Sequence, residues 1–191
     1  MKFVIFCHSL VSDWNHGNAH FLRGIATDLL VRGHDVRVFE PANAWSVANL
    51  LEDAGESALA PFHETYPRLA STRYEGDGPD LDEALDGADV VLVHEWNEHG
   101  LVERIGRHHA RGGRYVLLFH DTHHRSVTDA DAMAAYDLQH YDGVLAFGEV
   151  IRQRYLAAGW SRRAWTWHEA ADTRIFRPLH APTEGDLVWI G

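Results

Sequence analysis

Short apolar runs alternate with longer amphipathic segments along the chain. The runs at Val90–Val93 and Tyr115–Phe119 are continuously apolar, which is typical of strands covered on both faces. Segments of helical period separate such runs, and Gly33, Gly112 and Gly159 follow three of them, where a left-handed helix cap is expected. The order predicts an α/β fold: a doubly wound, mostly parallel Rossmann-like sheet with helices on both faces.

The same pattern predicts the position of each element. Strands are expected at Lys2–Cys7, Asp35–Phe39, Asp89–Val93, Arg114–Phe119, Gly143–Phe147 and Arg163–Trp167. Helices are expected at Asn18–Arg32, Trp45–Ala54, Leu81–Leu85, Leu101–Ala110, Asp129–Gln139 and Glu149–Ala158. We assign residues 1–179 to one Rossmann-like domain, and residues 180–191 to a linker and the first strand of a second domain that is absent from this chain.

A long connection, Gly55–Asp80, interrupts the alternation. It contains Phe62, Tyr66 and Tyr74, which favour a folded flap over a disordered segment. These aromatic residues would either contact a substrate or form a small satellite core.

Composition and charge exclude several classes of function. The formal net charge of −11 disfavours a nucleic-acid partner. No stretch reaches the length of a membrane span, and the single cysteine, Cys7, lies in an apolar run, so we expect a cytoplasmic protein without disulfides. Lys2 is the only lysine, which excludes a Walker A loop and a pyridoxal-phosphate enzyme. The glycine motifs of nucleophile-elbow hydrolases and dinucleotide-binding proteins are also missing.

Polar residues follow the predicted strands, and many of them are histidines beside carboxylates. They are His8, Ser9, Glu40, His94, Glu95, His120, Asp121, Gly148, Glu149, His168 and Glu169. Because the carboxyl ends of parallel strands meet at one edge, these residues predict a polar binding crevice there. The alternative is that strand ends are polar simply because they meet solvent.

Two local patterns add candidate chemistry. Residues 120–124 hold three histidines and Asp121, enough ligands for zinc or iron if others join them, although adjacent residues diverge and no helical His pair is present. The loop after the first strand carries Gly17 and Asn18 before a helix. There an anion would approach the helix N-terminus, or Asn18 would simply cap the helix.

The strand-end residues, the first loop and the tail resemble the N-terminal half of a GT-B glycosyltransferase of the family 4-like kind. Residues 169–178 are similar to that family's Asn-Gly-Val-Asp-x-x-x-Phe-x-Pro segment, with Asp172, Phe176 and Pro178 matching. Residues 185–191 are similar to the opening strand of the second domain.

The resemblance implies that this half binds the acceptor, whereas a C-terminal domain binds the nucleotide-sugar donor. It implies that His120 contacts the transferred sugar and that Gly17 lies near the donor phosphates, although many members have Gly-Gly where this chain has His16-Gly17. We expect catalytic roles for His120, Asp121 and Glu95, with one of the acids as the base if the reaction inverts. Substrate-binding roles are expected for His8, Gly17, Asn18, His94, His168 and Glu169.

No cofactor and no structural metal are expected, and a homodimer through the open crevice is possible. Three alternatives stay open: a stand-alone binding or interaction module of the same fold, a metal-dependent hydrolase that uses residues 120–124, and a sugar-nucleotide epimerase.

Overall fold

In the computed structural model, which describes residues 1–178, 182 and 185, seven parallel strands form one sheet. The strands are β1 (Lys2–Phe6), β2 (Asp35–Pro41), β3 (Thr72–Tyr74), β4 (Val90–His94), β5 (Val116–Asp121), β6 (Gly143–Ala146) and β7 (Ala164–Thr166). Their order across the sheet is β3-β2-β1-β4-β5-β6-β7, and every neighbouring pair is parallel. The predicted α/β fold is confirmed.

Eight helices connect the described strands. They are α1 (Asn18–Val31), α2 (Trp45–Ala54), α3 (Ala60–Thr65), α4 (Leu81–Ala84), α5 (His99–Ala110), α6 (Arg125–Thr128), α7 (Ala130–Ala134) and α8 (Glu149–Ala157), with a 3-10 turn at Glu56–Leu59. Gly33, Gly112 and Gly159 follow α1, α5 and α8 with positive φ angles, which confirms the predicted caps. None of the described helices is both long enough and apolar enough to cross a bilayer.

The sheet separates two apolar clusters, as expected for a doubly wound fold. Side chains of β1 alternate between them: Val4 and Phe6 lie in one cluster, whereas Ile5 and Cys7 lie in the other. The first cluster includes residues from α5, α7 and α8, and the second includes residues from α1, α2 and α3. Cys7 is buried and unpaired, in agreement with a core role.

Several predicted boundaries were wrong. The connection over residues 55–80 contains the edge strand β3, which pairs with β2 through Phe39–Thr72 and Pro41–Tyr74. Three residues are too few to show a period, so the sequence pattern did not reveal this strand. Phe62 and Tyr66 are buried in the α1-side cluster, so they belong to one of the two main clusters and do not form the separate satellite core that was the alternative.

The predicted helix Asp129–Gln139 is reduced to the short helix α7 (Ala130–Ala134), and the separate helix α6 (Arg125–Thr128) precedes it. Asp129 has φ −147° and its side chain accepts a hydrogen bond from the Ala132 amide, so it ends α6 and begins α7. The Asp137 carboxylate accepts a hydrogen bond from the Gln139 amide, which stabilises a turn after α7. The strand predicted at residues 187–191 lies outside the described residues.

Candidate functional site

The carboxyl edge of the sheet brings the predicted strand-end residues together. His94 and His120 are register partners on β4 and β5, and their ring centroids lie 4.9 Å apart at an interplanar angle of 87°. Glu95 and Asp121 follow them at the same edge. His8 follows β1 and is also buried.

Four of these residues have no exposed surface: His94, Glu95, His120 and Asp121 are each 0% exposed. Trp167 packs against His120 with ring centroids 4.9 Å apart, and Phe21 lies 5.7 Å from it. The sequence predicted an open polar crevice, whereas this part of the edge is enclosed. His94, Glu95, His120 and Asp121 therefore form an interior polar cluster.

The two imidazoles in the cluster are neutral. Burial lowers the pKa of His120 to about 3, and burial together with the neighbouring His120 lowers the pKa of His94 well below its usual value. No ring nitrogen of either residue has a hydrogen-bond partner among the described residues. Unpaired buried imidazole nitrogens are costly to maintain, which is a reason to look for function here.

The two acids of the cluster, Glu95 and Asp121, form a buried carboxyl pair. Burial, followed by the charge of Asp121, raises the pKa of Glu95 to about 8, and burial raises the pKa of Asp121 to about 6. The Thr122 amide and hydroxyl donate to Glu95 Oε1 at 3.0 and 2.9 Å. Because Glu95 holds a proton at neutral pH, it is poorly suited to be a general base.

The N-terminus of α1 borders a cavity of about 320 Å³, lined by Asn15, His16, Gly17, Asn18, Trp45, Trp96 and His123. Gly17 has φ −57°, and a Cβ at this position would meet no atom within 4 Å. Neither backbone conformation nor internal packing therefore requires glycine, but a ligand at the helix N-terminus would gain space from it.

Asn18 does not cap α1, so that alternative was wrong. The helix has no side-chain cap hydrogen bond. The Asn18 amide instead donates to Thr122 Oγ1 at 2.5 Å, and Thr122 in turn donates to Glu95. This chain of hydrogen bonds connects the rim of the 320 Å³ cavity to the buried carboxyl pair.

A larger cavity of about 720 Å³ adjoins the first, and Trp45 and Trp96 line both. Its walls come from separate segments and include His8, Trp45, Tyr74, Trp96, Asn97, Glu98 and Arg104. Trp96, Asn97 and Arg104 were not among the residues predicted from the sequence. Trp96 could have been predicted, because it directly follows His94 and Glu95 at the end of a strand.

The remaining predicted residues lie on the β7 side of this edge. Glu169 lines a cavity of about 310 Å³ together with Gly17, His20 and Phe21, and burial raises its pKa to about 7. His168 is exposed, and its Nδ1 lies 2.9 Å from the Phe147 carbonyl oxygen. The substrate-binding roles of His168 and Glu169 therefore stay predictions.

No group of three potential ligands in the described part of the chain is arranged to hold a metal ion. In the segment after β5, His123 stacks with His124 at a centroid distance of 4.1 Å and lies 5.9 Å from Trp96. The described residues therefore offer no set of metal ligands for the metal-dependent hydrolase alternative.

Comparisons with protein-family models, with curated proteins and with solved structures found no match to this chain.

Proposed function

We propose that this chain is the acceptor-binding half of a GT-B glycosyltransferase that transfers a sugar from a nucleotide-sugar donor to an acceptor hydroxyl. The observation that carries the proposal is the pair of adjoining cavities at the carboxyl edge of a parallel sheet, which share Trp45 and Trp96. The larger one suits an acceptor molecule, and the smaller one borders a helix N-terminus, where a phosphate is favoured.

In the proposed reaction, the bond between the anomeric carbon and the donor phosphate oxygen breaks, and a bond from that carbon to the acceptor oxygen forms. The hydroxyl proton leaves with the departing phosphate or passes to a base, and the products are a glycoside and a nucleoside diphosphate. Negative charge grows on the phosphate during the step. The N-terminus of α1 at Gly17 would stabilise that charge through its partial positive potential.

The buried cluster of His94, Glu95, His120 and Asp121 would hold the cavity walls in position. Asn18 and Thr122 connect the wall of the 320 Å³ cavity to Glu95. The neutral His120 packs against Phe21, which lines the separate cavity of about 310 Å³ together with Gly17 and Glu169. In this proposal His120 contacts the transferred sugar only after Phe21 moves, while Glu95 and Asp121 position the wall. A retaining, front-face transfer fits this arrangement because it requires no separate base.

The segment that precedes the proposed second domain is anchored to α1. Asp172 accepts hydrogen bonds from the Arg174 amide and guanidinium, and Arg174 donates to the Gly24 carbonyl oxygen at 2.9 Å. Gly24 allows this approach, since a Cβ there would lie 3.2 Å from Asp172 Cβ. Such an anchor would fix where a donor-binding domain begins relative to the cavities.

The test uses the complete open reading frame that contains this chain. The purified product is incubated with a panel of nucleotide-sugars and hydroxyl-bearing acceptors, and nucleoside diphosphate release is measured. We expect nucleoside diphosphate to be released from one class of donor, and only when an acceptor is present. A reading frame without a second α/β domain, or release that no acceptor stimulates, would overturn it.

A further inference from the structure

The cavity of about 720 Å³ is lined by two tryptophans, Trp45 and Trp96, and by the acids Asp77 and Glu98. We infer that it binds an uncharged mono- or oligosaccharide, so that the acceptor is a neutral sugar rather than a phosphorylated or carboxylated one. The role as acceptor rests on the proposed function, whereas the binding itself does not. The cavity volume lies within the range of about 300–1,000 Å³ that is usual for ligand pockets.

Two indoles, those of Trp45 and Trp96, form an apolar wall of the cavity. Trp45 is 39% exposed, although its ring is held by His8 at 4.6 Å and by the edge contact of Trp14 at 6.3 Å. An exposed indole that neighbouring rings hold in place is a rigid apolar platform. Sugar rings present C–H faces that stack on such platforms.

The second indole is held in a different way. The Arg125 guanidinium stacks over the Trp96 ring at 4.6 Å from its centroid. This contact fixes the ring at the shared wall of the two cavities. A saccharide resting on Trp45 and Trp96 would therefore direct a hydroxyl toward the smaller cavity, where the proposed donor phosphate lies.

The charged residues of the lining disfavour an anionic ligand. Asp77 and Glu98 line the cavity, and Arg104 is the one guanidinium among its described lining residues. Two N–H groups of Arg104 donate to the carbonyl oxygens of Asp77 at 2.7 Å and Pro79 at 3.4 Å, which hold the side chain in place but leave its single positive charge. His8 adds no positive charge, because burial lowers its pKa to about 4.

The described lining thus carries two carboxylates against one guanidinium. A phosphate or carboxylate on the ligand would be repelled. Carboxylates and the Asn97 side chain, in contrast, are suitable hydrogen-bond partners for sugar hydroxyls.

The test measures ligand binding to this chain alone, without a donor, by saturation-transfer NMR and calorimetry. The probes are a panel of neutral mono- and disaccharides, together with glucose 6-phosphate and glucuronate as anionic counterparts. At least one neutral saccharide should bind, and the affinity should fall by about tenfold or more in Trp45→Ala and in Trp96→Ala. Trp165→Ala is the matched control, because Trp165 is 46% exposed and lies on β7 away from the cavity.

Two further variants make the result decisive. Trp45→Phe keeps an aromatic platform and should retain most of the binding if Trp45→Ala fails to fold. Glu98→Gln removes one negative charge from the cavity lining. The Glu98 side chain makes no cap hydrogen bond to α5, so the helix does not depend on it, and the variant should bind glucose 6-phosphate more tightly than wild type.

The inference is overturned if no neutral saccharide in the panel binds, if the anionic counterparts bind more tightly, or if the cavity tryptophans and Trp165 give equal effects. Saccharide binding without turnover by the full reading frame would contradict the proposed function alone. Turnover with an anionic acceptor and no neutral saccharide binding would contradict this inference alone.

Discussion

The rings of His94 and His120 meet edge to face at 4.9 Å, from register positions on two adjacent parallel strands. Both are fully buried, so the folded protein keeps two imidazoles neutral at the centre of its carboxyl edge. This relationship has a measurable consequence for stability.

Acidification should destabilise the fold through His120. The pKa of this residue is lowered from 6.5 to about 3, so below pH 6.5 the unfolded chain binds a proton that the folded chain does not. Stability is therefore lost as the pH falls from 6.5 toward 3. Between pH 7 and pH 5 this one group lowers the free energy of unfolding by about 2 kcal/mol, which is measured in urea as the difference between wild type and His120→Asn.

His120→Asn should flatten that pH dependence. The matched control is His63→Asn, which replaces an exposed histidine on α3 and should keep the wild-type slope. Equal slopes in wild type and His120→Asn would show that the imidazole is accessible to protons in the folded state.

A rising pH should destabilise the fold through Glu95, opposite to the effect of His120. Its pKa is raised from 4.5 to about 8, so between these values the folded chain retains a proton that the unfolded chain releases. Stability is consequently lost as the pH rises from 4.5 toward 8. Glu95→Gln mimics the protonated acid and should lose less stability over this range.

The measurement is the urea midpoint at pH 5, 7 and 9, with Glu52→Gln as a control on the exposed side of α2. Parallel curves for wild type and Glu95→Gln would mean that Glu95 is ionised in the folded protein. The candidate role of a general base would then return to this residue.

Gly17→Ala should weaken catalysis without affecting the fold. The added Cβ meets no protein atom within 4 Å, but it occupies the approach to the N-terminus of α1. We expect kcat/KM of the full reading frame to fall by about tenfold or more, with thermal stability nearly unchanged. Gly148→Ala is the control, since Gly148 precedes α8 and also has open space around its Cβ position. Equal activities of the two variants would exclude an anion site at Gly17.

Arg174→Gln should release the segment after β7 from α1. It removes the bonds to Asp172 and to the Gly24 carbonyl oxygen, which are part-buried or exposed, so global stability should change little. Limited proteolysis should cut within residues 173–178 faster than in wild type. The control is Arg177→Gln, which replaces an exposed residue in the same segment and should leave the cleavage rate unchanged. Faster cleavage in both variants would contradict the claim that Arg174 anchors the segment to α1.

The parallel sheet and its polar edge could be predicted from the sequence because they depend on local patterns. Continuous apolar runs specify buried strands, and the residues just after them lie at one edge in any parallel sheet. His94 and His120 were placed together by this reasoning alone.

The burial of that pair could not be predicted in the same way. It depends on Phe21 from α1 and on Trp167 after β7, which contact His120 from distant parts of the chain. The larger cavity has the same origin, because Trp45 and Arg104 lie on different helices and meet only through the fold. Long-range packing of this kind leaves no period in the sequence.

The most direct test of the central claim is mass spectrometry of the acceptor after incubation of the full reading frame with a nucleotide-sugar. We predict that the acceptor gains the mass of one glycosyl unit while the donor becomes a nucleoside diphosphate. A donor that is hydrolysed with the acceptor unchanged, or a donor that stays intact with every acceptor, would contradict the claim that this chain is half of a glycosyltransferase.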